Sequence, residues 1–435
     1  MKTEIFNLKH GAKVLFNKQT EVQGISVQFN FTAGALNDKK GKLGIAHFCE
    51  HAICDFPNAK MTRDEKISYR RKYTYINAFT SFKEVCFVVR MTEEDFEDAI
   101  DFLTESFSSL KFLPEEFEKE KRIINDEIKT RVKVNGAIYG ATVRREIVKD
   151  EHYKNLIYSP AGTEETLEKI TLDDLKEFIT NYFTLNNLHV SISGNISKKR
   201  VINAMHKFVE RRIGVSDSQG FMSRNVNDLY LPKYHYKPAV ENGKALISCI
   251  YNIKHIPWSY EIDREWIVSG ILTPILQEYV MRYYRHQNNL CYSCMLSVYG
   301  VSNHLSSEFC LECQEENLEE VINLYESFLK ELPENIDKEL FEKHKRKKLL
   351  SYNFDFIGIS KICDIIYDVY LNENKLYNDS YKKRVFAERK SVTYDEVNNL
   401  YKTLFKVKPH VIIVANDEKY KDFNYKEFCK KARLK

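Results

Sequence analysis

The two halves of this 435-residue chain repeat one sequence pattern. Residues 117–122 read FEKEKR and residues 341–346 read FEKHKR, and an amphipathic stretch with apolar residues at helical spacing precedes each. Residues 170–195 and 392–416 also correspond, because each starts as a helix with a Thr and early acidic residues and ends in a β-rich run that begins at a His. This self-similarity indicates two copies of one structural unit, each of about 210 residues.

Each copy combines helical patterns with β-like runs. The β-like runs of the first copy are 24–31, 84–91 and 189–193. Their order predicts an α+β fold with two tandem homologous α/β sandwich domains, each having a mostly antiparallel sheet with helices on one face. A polar, aperiodic stretch with turn residues marks the join. We therefore expect domains at 1–215 and 239–435 with a linker at 216–238.

Composition and charge exclude several classes of protein. The net charge is +4 with both signs interspersed, so the sequence predicts no nucleic-acid partner. No apolar stretch approaches the roughly 18 residues that a membrane-spanning helix needs, and the first residues lack the apolar core of a secretory signal. Ten cysteines without the spacing of a disulfide framework predict reduced thiols. We therefore expect a cytoplasmic protein that does not associate with membranes.

A short motif in the first copy has the spacing of a metal site. Residues 44–54 read GIAHFCEHAIC, so His47 and His51 lie one turn apart on one face of a helix, with Glu50 beside them. The neighbouring residues are apolar, which predicts that this helix is buried. Three buried titratable groups without partners would cost several kcal/mol, and a shared metal ion removes that cost. The motif is the H-x-x-E-H order of zinc peptidases.

A catalytic zinc usually has three protein ligands, so a third ligand is expected from another helix. Residues 117–132 read FEKEKRIINDEIKTRV and carry Glu120 and Glu127 on one helical face. The spacing alone does not choose between these two glutamates. In the second copy, residues 271–275 read ILTPI where the motif would fall, and Ser351 corresponds to Glu127. The second copy is therefore expected to have a supporting role.

Four cysteines of the second half offer a different metal site. Cys291 and Cys294 form one C-x-x-C pair, and Cys310 and Cys313 form another, which resembles a structural zinc pattern. The other interpretation places the four on neighbouring strands, where they pack as small hydrophobic residues. The flanking residues are β-like and lack the glycines of a zinc knuckle, which favours the second interpretation.

The pattern GIAHFCEHAIC, followed by E-x6-E in the next charged helix, resembles the insulinase/pitrilysin family of zinc metallopeptidases. Within it, the chain is similar to the short subfamily that includes mitochondrial processing peptidase subunits and bacterial relatives. This resemblance implies that His47, His51 and Glu127 bind one Zn2+ per chain. It implies that Glu50 is the general base, and that Glu120 steadies the site without binding the metal.

The resemblance also implies two groups of substrate-binding residues. Asn77 and Ala78, in YINAFTS, match an edge-strand motif that pairs with the substrate backbone. Arg285 and Tyr292, in RHQNNLCYS, match an Arg-x6-Tyr pair of the second copy. In the family the Tyr helps to stabilise the tetrahedral intermediate and the Arg helps to place the substrate.

The expected function is that of a zinc-dependent endopeptidase in which Glu50 activates the attacking water. In the family two half-shells close a chamber, so this chain would form one half of a clamshell that admits peptides or unfolded segments. A homodimer is the simplest expectation, and a heterodimer with a related subunit is the alternative. Two further alternatives are a heterodimeric processing peptidase that trims a specific precursor or leader peptide, and a scaffold without catalytic activity.

Overall fold

The computed structural model describes residues 2–131, 133–149, 159–211, 214, 216, 218, 220, 229–255, 264–301, 304–354 and 358–432. The chain divides into two compact units. The first unit comprises Met1–Thr130, Tyr158–Ser223 and Phe354–Lys383. The second unit comprises Arg131–Ile157, Arg224–Asn353 and Arg384–Lys435.

Eleven strands lie within the described residues and form one sheet in each unit. The strands are β1 (Thr3–Asn7), β2 (Lys13–Lys18), β3 (Ile25–Phe31), β4 (Tyr75–Thr80), β5 (Val85–Met91), β6 (Leu188–Gly194), β7 (Tyr234–Pro238), β8 (Lys244–His255), β9 (Ser293–Val301), β10 (His304–Gln314) and β11 (His410–Ala415).

The described residues also form sixteen α-helices. They are α1 (Ile45–Asp55), α2 (Arg63–Arg70), α3 (Phe96–Ser108), α4 (Pro114–Arg131), α5 (Asn135–Glu146), α6 (Glu164–Glu168), α7 (Leu172–Tyr182), α8 (Lys198–Glu210), α9 (Arg264–Val280), α10 (Leu318–Asn323), α11 (Tyr325–Glu331), α12 (Lys338–Phe354), α13 (Ile359–Glu373), α14 (Asp379–Lys390), α15 (Tyr394–Tyr401) and α16 (Tyr425–Lys431). A π-helical segment, Met281–Gln287, continues α9. Each described helix is too short or too polar to cross a lipid bilayer.

The two sheets share one topology, which confirms the predicted repeat. The first has the strand order β1-β2-β6-β3-β5-β4 and the second has the order β7-β11-β8-β10-β9. In each, the pair formed by an early and a late strand is parallel, namely β2 with β6 and β7 with β11. The remaining neighbours are antiparallel. The first sheet therefore repeats the second with β1 added, and the predicted α+β class with two homologous units is confirmed.

The first core lies on one face of its sheet. Val27, Phe29 and Phe31 of β3 are buried there against residues of α1, α3, α4, α7 and α8. The opposite face of β3 is polar but also buried, because α13 covers it: the Gln28 side chain donates to Asp364, with Nε2 2.8 Å from Oδ1. Each sheet thus carries one further helix on its second face, α13 in the first unit and α5 in the second. The expectation of helices on one face only is therefore incomplete. Periodicity can predict a helix but not the sheet on which it packs, and each of these two helices comes from the other half of the chain.

The predicted boundaries 1–215, 216–238 and 239–435 describe the sequence repeat and stay a prediction. The compact units differ from them, since each takes one segment from the other half of the chain. The end of the predicted linker forms β7, which pairs with β11 in the second sheet. Residues 221–228 of that linker lie outside the described residues.

Candidate active site

Helix α1 carries the H-x-x-E-H motif, and a buried turn fixes its start. Gly44 has a φ of 103°, and a Cβ at this position would lie 2.4 Å from the carbonyl oxygen of Ala161. The Asp38 carboxylate accepts hydrogen bonds from the amides of Gly44 and Ala46, at 2.6 and 2.8 Å. A negatively charged group at the start of a helix also interacts favourably with the positive end of the helix dipole. The first turn of α1 is therefore held in one position.

The other end of α1 is held by a buried lysine of α2. Lys66 has no exposed surface, and its Nζ donates to the carbonyl oxygens of Ile53 and Phe56 at 2.8 and 2.9 Å. Burial lowers the pKa of Lys66 to about 8. A positive group here satisfies carbonyls that the helix end leaves without partners. Both ends of the metal-motif helix are thus held by hydrogen bonds to the side chains of Asp38 and Lys66.

All three predicted metal ligands lie together between α1 and α4. The Glu127 Oε2 atom lies 3.8 Å from His47 Nε2 and 3.5 Å from His51 Nε2, and the three donor atoms lie within 4.8 Å of one another. Zinc bonds of about 2.0–2.1 Å in a tetrahedron would place ligand atoms roughly 3.3 Å apart. The observed spacing is close to that value. Two imidazole nitrogens and a carboxylate are also a donor set that zinc accepts, so these residues fit the ion.

Glu120 lies behind His51 and orients its ring. Its Oε1 atom accepts a hydrogen bond from His51 Nδ1 at 2.8 Å, and its Oε2 atom accepts one from Arg63 at 2.5 Å. Burial lowers the pKa of His51, but the hydrogen bonds to Glu120 and Glu127 outweigh burial and raise it to about 10. Burial raises the pKa of Glu120, but its bonds to His51 and Arg63 hold it below its ordinary value. The cluster therefore stabilises positive charge at this position. A metal ion would displace the proton on Nε2 of His51, while Glu120 keeps the proton on Nδ1.

Glu50 lies on α1 between the two histidines and is 7% exposed. Its Oε2 atom accepts a hydrogen bond of 2.6 Å from the hydroxyl of Thr80, the last residue of β4. Glu50 is thus a buried carboxylate on the same helix as both histidines, and its orientation is set by a hydrogen bond to β4.

Strand β4 is the edge of the first sheet, as the sequence predicted. Its exposure alternates, so that Asn77 is exposed and Ala78 packs on the core. In the adjoining turn the Ser81 amide donates to the Glu84 carbonyl at 2.8 Å, which marks a hydrogen-bonded pair of the β4–β5 ladder. By alternation, Ala78 and Thr80 direct their amides and carbonyls away from β5. The free edge therefore offers the backbone of Ala78, whereas Asn77 offers its side chain, which donates to Tyr75 at 3.0 Å.

Arg285 and Tyr292 belong to the second unit and contact each other. The Arg285 guanidinium carbon lies 4.7 Å from the centroid of the Tyr292 ring, in a cation–π contact. Tyr292 is 83% exposed, so its hydroxyl is open to a ligand. The structure therefore brings Arg285 and Tyr292 into contact just before β9.

The four clustered cysteines do not form a metal site, which contradicts the structural-zinc alternative. Cys294 pairs with Leu311 across β9 and β10, and Cys313 lies on the same face in the second core. Cys310 packs on the opposite face of that sheet, because it lies an odd number of positions from Cys313. All ten cysteines of the chain are described, and none forms a disulfide.

Four residues of the site were not predicted from the sequence. Thr80 contacts Glu50, Arg63 contacts Glu120, Asp38 binds the amides at the start of α1, and Lys66 binds the carbonyls at its end. One of them had a usable signal: Thr80 lies on the same strand face as Ala78, two residues later in YINAFTS. Arg63 and Asp38 act across loops whose geometry the sequence does not specify.

Comparisons with known proteins identify the family of the chain. Residues 13–161 match the family described as insulinase (peptidase family M16), and residues 169–348 match the peptidase M16 inactive domain. The uncharacterized zinc protease YmxG of Bacillus subtilis is 26% identical over 53% of each chain, and zinc protease PqqE of Helicobacter pylori is 23% identical over 59% of this chain. The chain spans about half the length of these two relatives, at 53% and 55%. The mitochondrial-processing peptidase subunit beta of Dictyostelium discoideum is 21% identical over 97% of this chain and 91% of its own.

Solved structures show the same fold. A peptidase M16 inactive domain from Pseudomonas fluorescens superimposes with a TM-score of 0.75 and 14% identity, over 95% of this chain and 98% of that one. The periplasmic protease PqqL from Escherichia coli superimposes with a TM-score of 0.77 and 14% identity, over 100% of this chain and 50% of that one. With two family matches that together extend from residue 13 to residue 348, this chain belongs to the insulinase family of peptidases, family M16.

Proposed function

We propose that this chain is a zinc-dependent endopeptidase that hydrolyses peptides or unfolded segments. The observation that carries the proposal is the convergence of His47, His51 and Glu127 within 4.8 Å, with the Glu50 carboxylate on the same helix. The relatives named as zinc proteases support the same chemistry.

His47, His51 and Glu127 would hold one Zn2+ per chain. When bound, zinc supplies Lewis acidity, which polarises a carbonyl and lowers the pKa of water towards about 7. Glu120 would hold the His51 ring in the orientation and tautomer that this binding needs, through its 2.8 Å hydrogen bond to Nδ1.

Glu50 would act as the general base. Its carboxylate would take a proton from the attacking water and later deliver it to the leaving amine, a role worth about 10²–10⁴-fold in rate. Its low exposure suits this role, because a carboxylate shielded from bulk water keeps the proton for the leaving group.

The substrate would bind as an added strand. The free edge of β4 would pair with an extended peptide through the backbone of Ala78, while the Asn77 side chain contacts the same peptide. The Tyr292 hydroxyl would stabilise the charge that develops on the scissile carbonyl oxygen, and Arg285 would hold both Tyr292 and the substrate.

The assembly would be a dimeric chamber in which this chain supplies one half. A homodimer is the first proposal. The match to a mitochondrial-processing peptidase subunit beta over 91% of that subunit favours a second candidate, a heterodimer that trims a specific precursor or leader peptide. A cytoplasmic location also remains a proposal.

Metal analysis and peptide cleavage, measured on the same preparation, test the proposed function. The purified chain should contain one zinc per chain and cleave a quenched peptide library. The Glu50→Gln variant should retain the zinc and lose cleavage. A wild-type chain without zinc would overturn the proposal. Zinc without cleavage by the isolated chain would contradict the homodimer and favour the heterodimeric candidate.

A further inference from the structure

A threonine of the edge strand contacts the residue proposed as the general base. The Thr80 hydroxyl donates to Glu50 Oε2 at 2.6 Å, and both side chains lie at the boundary between β4 and α1. A short hydrogen bond to an ionised carboxylate is about twice as strong as one between neutral groups. The contact therefore selects one orientation of a side chain that otherwise has three rotatable bonds.

The backbone of the same threonine belongs to the free edge of the sheet. Thr80 pairs with Val85 in the β4–β5 ladder, next to the hydrogen-bonded pair of Ser81 and Glu84. Alternation along an antiparallel ladder then directs the Thr80 amide and carbonyl outward. One residue thus offers its main chain to a peptide on β4 and its hydroxyl to Glu50.

We propose that Thr80 is a positioning residue that couples the peptide on β4 to the orientation of the Glu50 carboxylate. This inference rests on the proposed function, in which Glu50 is the general base and β4 binds the substrate. Reaction rates depend steeply on such placement, since a displacement of about 1 Å can cost 10²-fold. Thr80 acts through Glu50 and does not itself take part in the chemistry.

Two substitutions separate the hydroxyl from the rest of the side chain. Thr80→Val keeps the shape and removes the hydroxyl, whereas Thr80→Ser keeps the hydroxyl. We expect Thr80→Val to lower kcat by about 10–100-fold, with KM and zinc content within about 3-fold of the wild type. Thr80→Ser should stay within about 3-fold in all three quantities. Thr92→Val is the matched control, because it removes an exposed hydroxyl that bonds the Asp95 carboxylate at 2.8 Å.

A structural measurement tests the same role without activity. Crystal structures of the metal-free Thr80→Val and Thr80→Ser chains should show a reoriented Glu50 carboxylate in the first and the native orientation in the second. If Thr80→Val does not fold, Thr80→Ala with the same measurements replaces it. In a Glu50→Gln background, Thr80→Val should not lower the residual rate further.

Two results would overturn the positioning role. One is wild-type kcat in Thr80→Val, and the other is a native Glu50 orientation in its crystal structure. A wild-type chain that contains no zinc would count against the proposed function instead. In that case the two crystal structures still decide whether Thr80 orients Glu50.

Discussion

Helices α1 and α4 of the first unit correspond in the repeat to α9 and α12 of the second, and the two helix pairs have opposite characters. Where α1 has His47 and His51, α9 has two isoleucines that are buried in the second core. Where α4 has Glu127, α12 has Ser351, which is exposed. The same backbone arrangement thus supports a polar cluster in one unit and apolar packing in the other. The candidate metal site therefore depends on a few side chains, since the shared backbone arrangement alone does not produce it.

One polar contact between the helices is nevertheless present in both units. The repeat aligns Glu120 with His344, and each bonds a residue of the preceding partner helix. In the first unit Glu120 accepts from His51 at 2.8 Å; in the second His344 lies 2.7 Å from Glu278. The histidine and the carboxylate have exchanged helices. A histidine–carboxylate link can therefore join these helices without a metal, and Glu127, His47 and Glu50 are what the first unit adds.

The largest effect is expected when a ligand of the first unit is replaced by its counterpart in the second. His47→Ile introduces the residue found at position 271 and removes one of three donors. We expect the zinc content to fall to that of chelator-treated protein, and peptide cleavage to fall to the same background. Plasma mass spectrometry and the cleavage assay measure both. Zinc retained at one equivalent in this variant would show that the ion binds elsewhere.

The next largest effect is expected from a change in the proposed general base that leaves the metal ligands intact. Glu50→Gln should lower kcat by about 10²–10⁴-fold and leave the zinc content unchanged, because the amide cannot accept the proton from the attacking water. Glu118→Gln on α4 is the matched control, since it neutralises an exposed carboxylate of the same unit. Full activity of Glu50→Gln, in a preparation free of other proteases, would remove Glu50 from the mechanism.

A smaller effect is expected from the residue behind the ligands. Glu120→Gln should weaken zinc binding by about 10–100-fold, because it removes the carboxylate that orients His51. Competition with a chromophoric chelator measures the affinity. The corresponding change in the second unit, His344→Gln, should leave zinc affinity unchanged. Equal losses in both variants would mean that the two links act only on the stability of the protein.

The fold could largely be predicted from the sequence, because the repeat and the spacing of apolar residues are local signals. The same holds for His47, Glu50 and His51, whose positions follow from helical periodicity alone. Glu127 was different: spacing left Glu120 and Glu127 open, and the choice came from family resemblance. The structure separates them by distance, since Glu127 faces Nε2 of both histidines whereas Glu120 faces Nδ1 of His51.

Other features depended on contacts between distant segments. Thr80 reaches Glu50 only when β4 lies beside α1, and the sequence places these elements without fixing their separation. The positions of α5 and α13 on the second faces of the sheets could not be predicted for the same reason, because each packs against the unit formed mainly by the other half of the chain. The C-x-x-C pairs show the opposite case: their spacing is plausible for a metal site, but strand alternation divides Cys310 and Cys313 between two faces of a sheet, as the favoured packing interpretation allows.

A histidine near the start of corresponding strands is shared by both units and predicts a pH effect: His189 of β6 is partly buried, and His410 of β11 is fully buried. Burial lowers the pKa of His189 in β6 and of His410 in β11 to about 4, compared with an ordinary value of 6.5. Between these values the unfolded chain binds the proton and the folded chain does not, so stability falls as the pH drops from 6.5 towards 4. In His410→Gln, the free energy of unfolding should fall by roughly 1–3 kcal/mol less over this pH range than in the wild type.

Urea unfolding at pH 7 and at pH 4.5 measures the difference, with the exposed His206 as the matched control through His206→Gln. An unchanged pH dependence in His410→Gln would show that the pKa of His410 does not differ between the folded and unfolded protein. His189→Gln tests the first unit in the same way. If only one of the two variants flattens the pH dependence, the shared position serves different purposes in the two units.

The smallest effect concerns the link in the second unit. Glu278 accepts hydrogen bonds from His344 and Lys343, both at 2.7 Å, but its side chain is partly exposed, which reduces the strength of both bonds. Glu278→Gln should therefore lower the free energy of unfolding by about 1 kcal/mol and leave zinc content and kcat unchanged. Chemical unfolding and the cleavage assay measure these quantities. A loss of turnover with full stability would mean that the second helix pair takes part in catalysis, in addition to Arg285 and Tyr292 of the same unit.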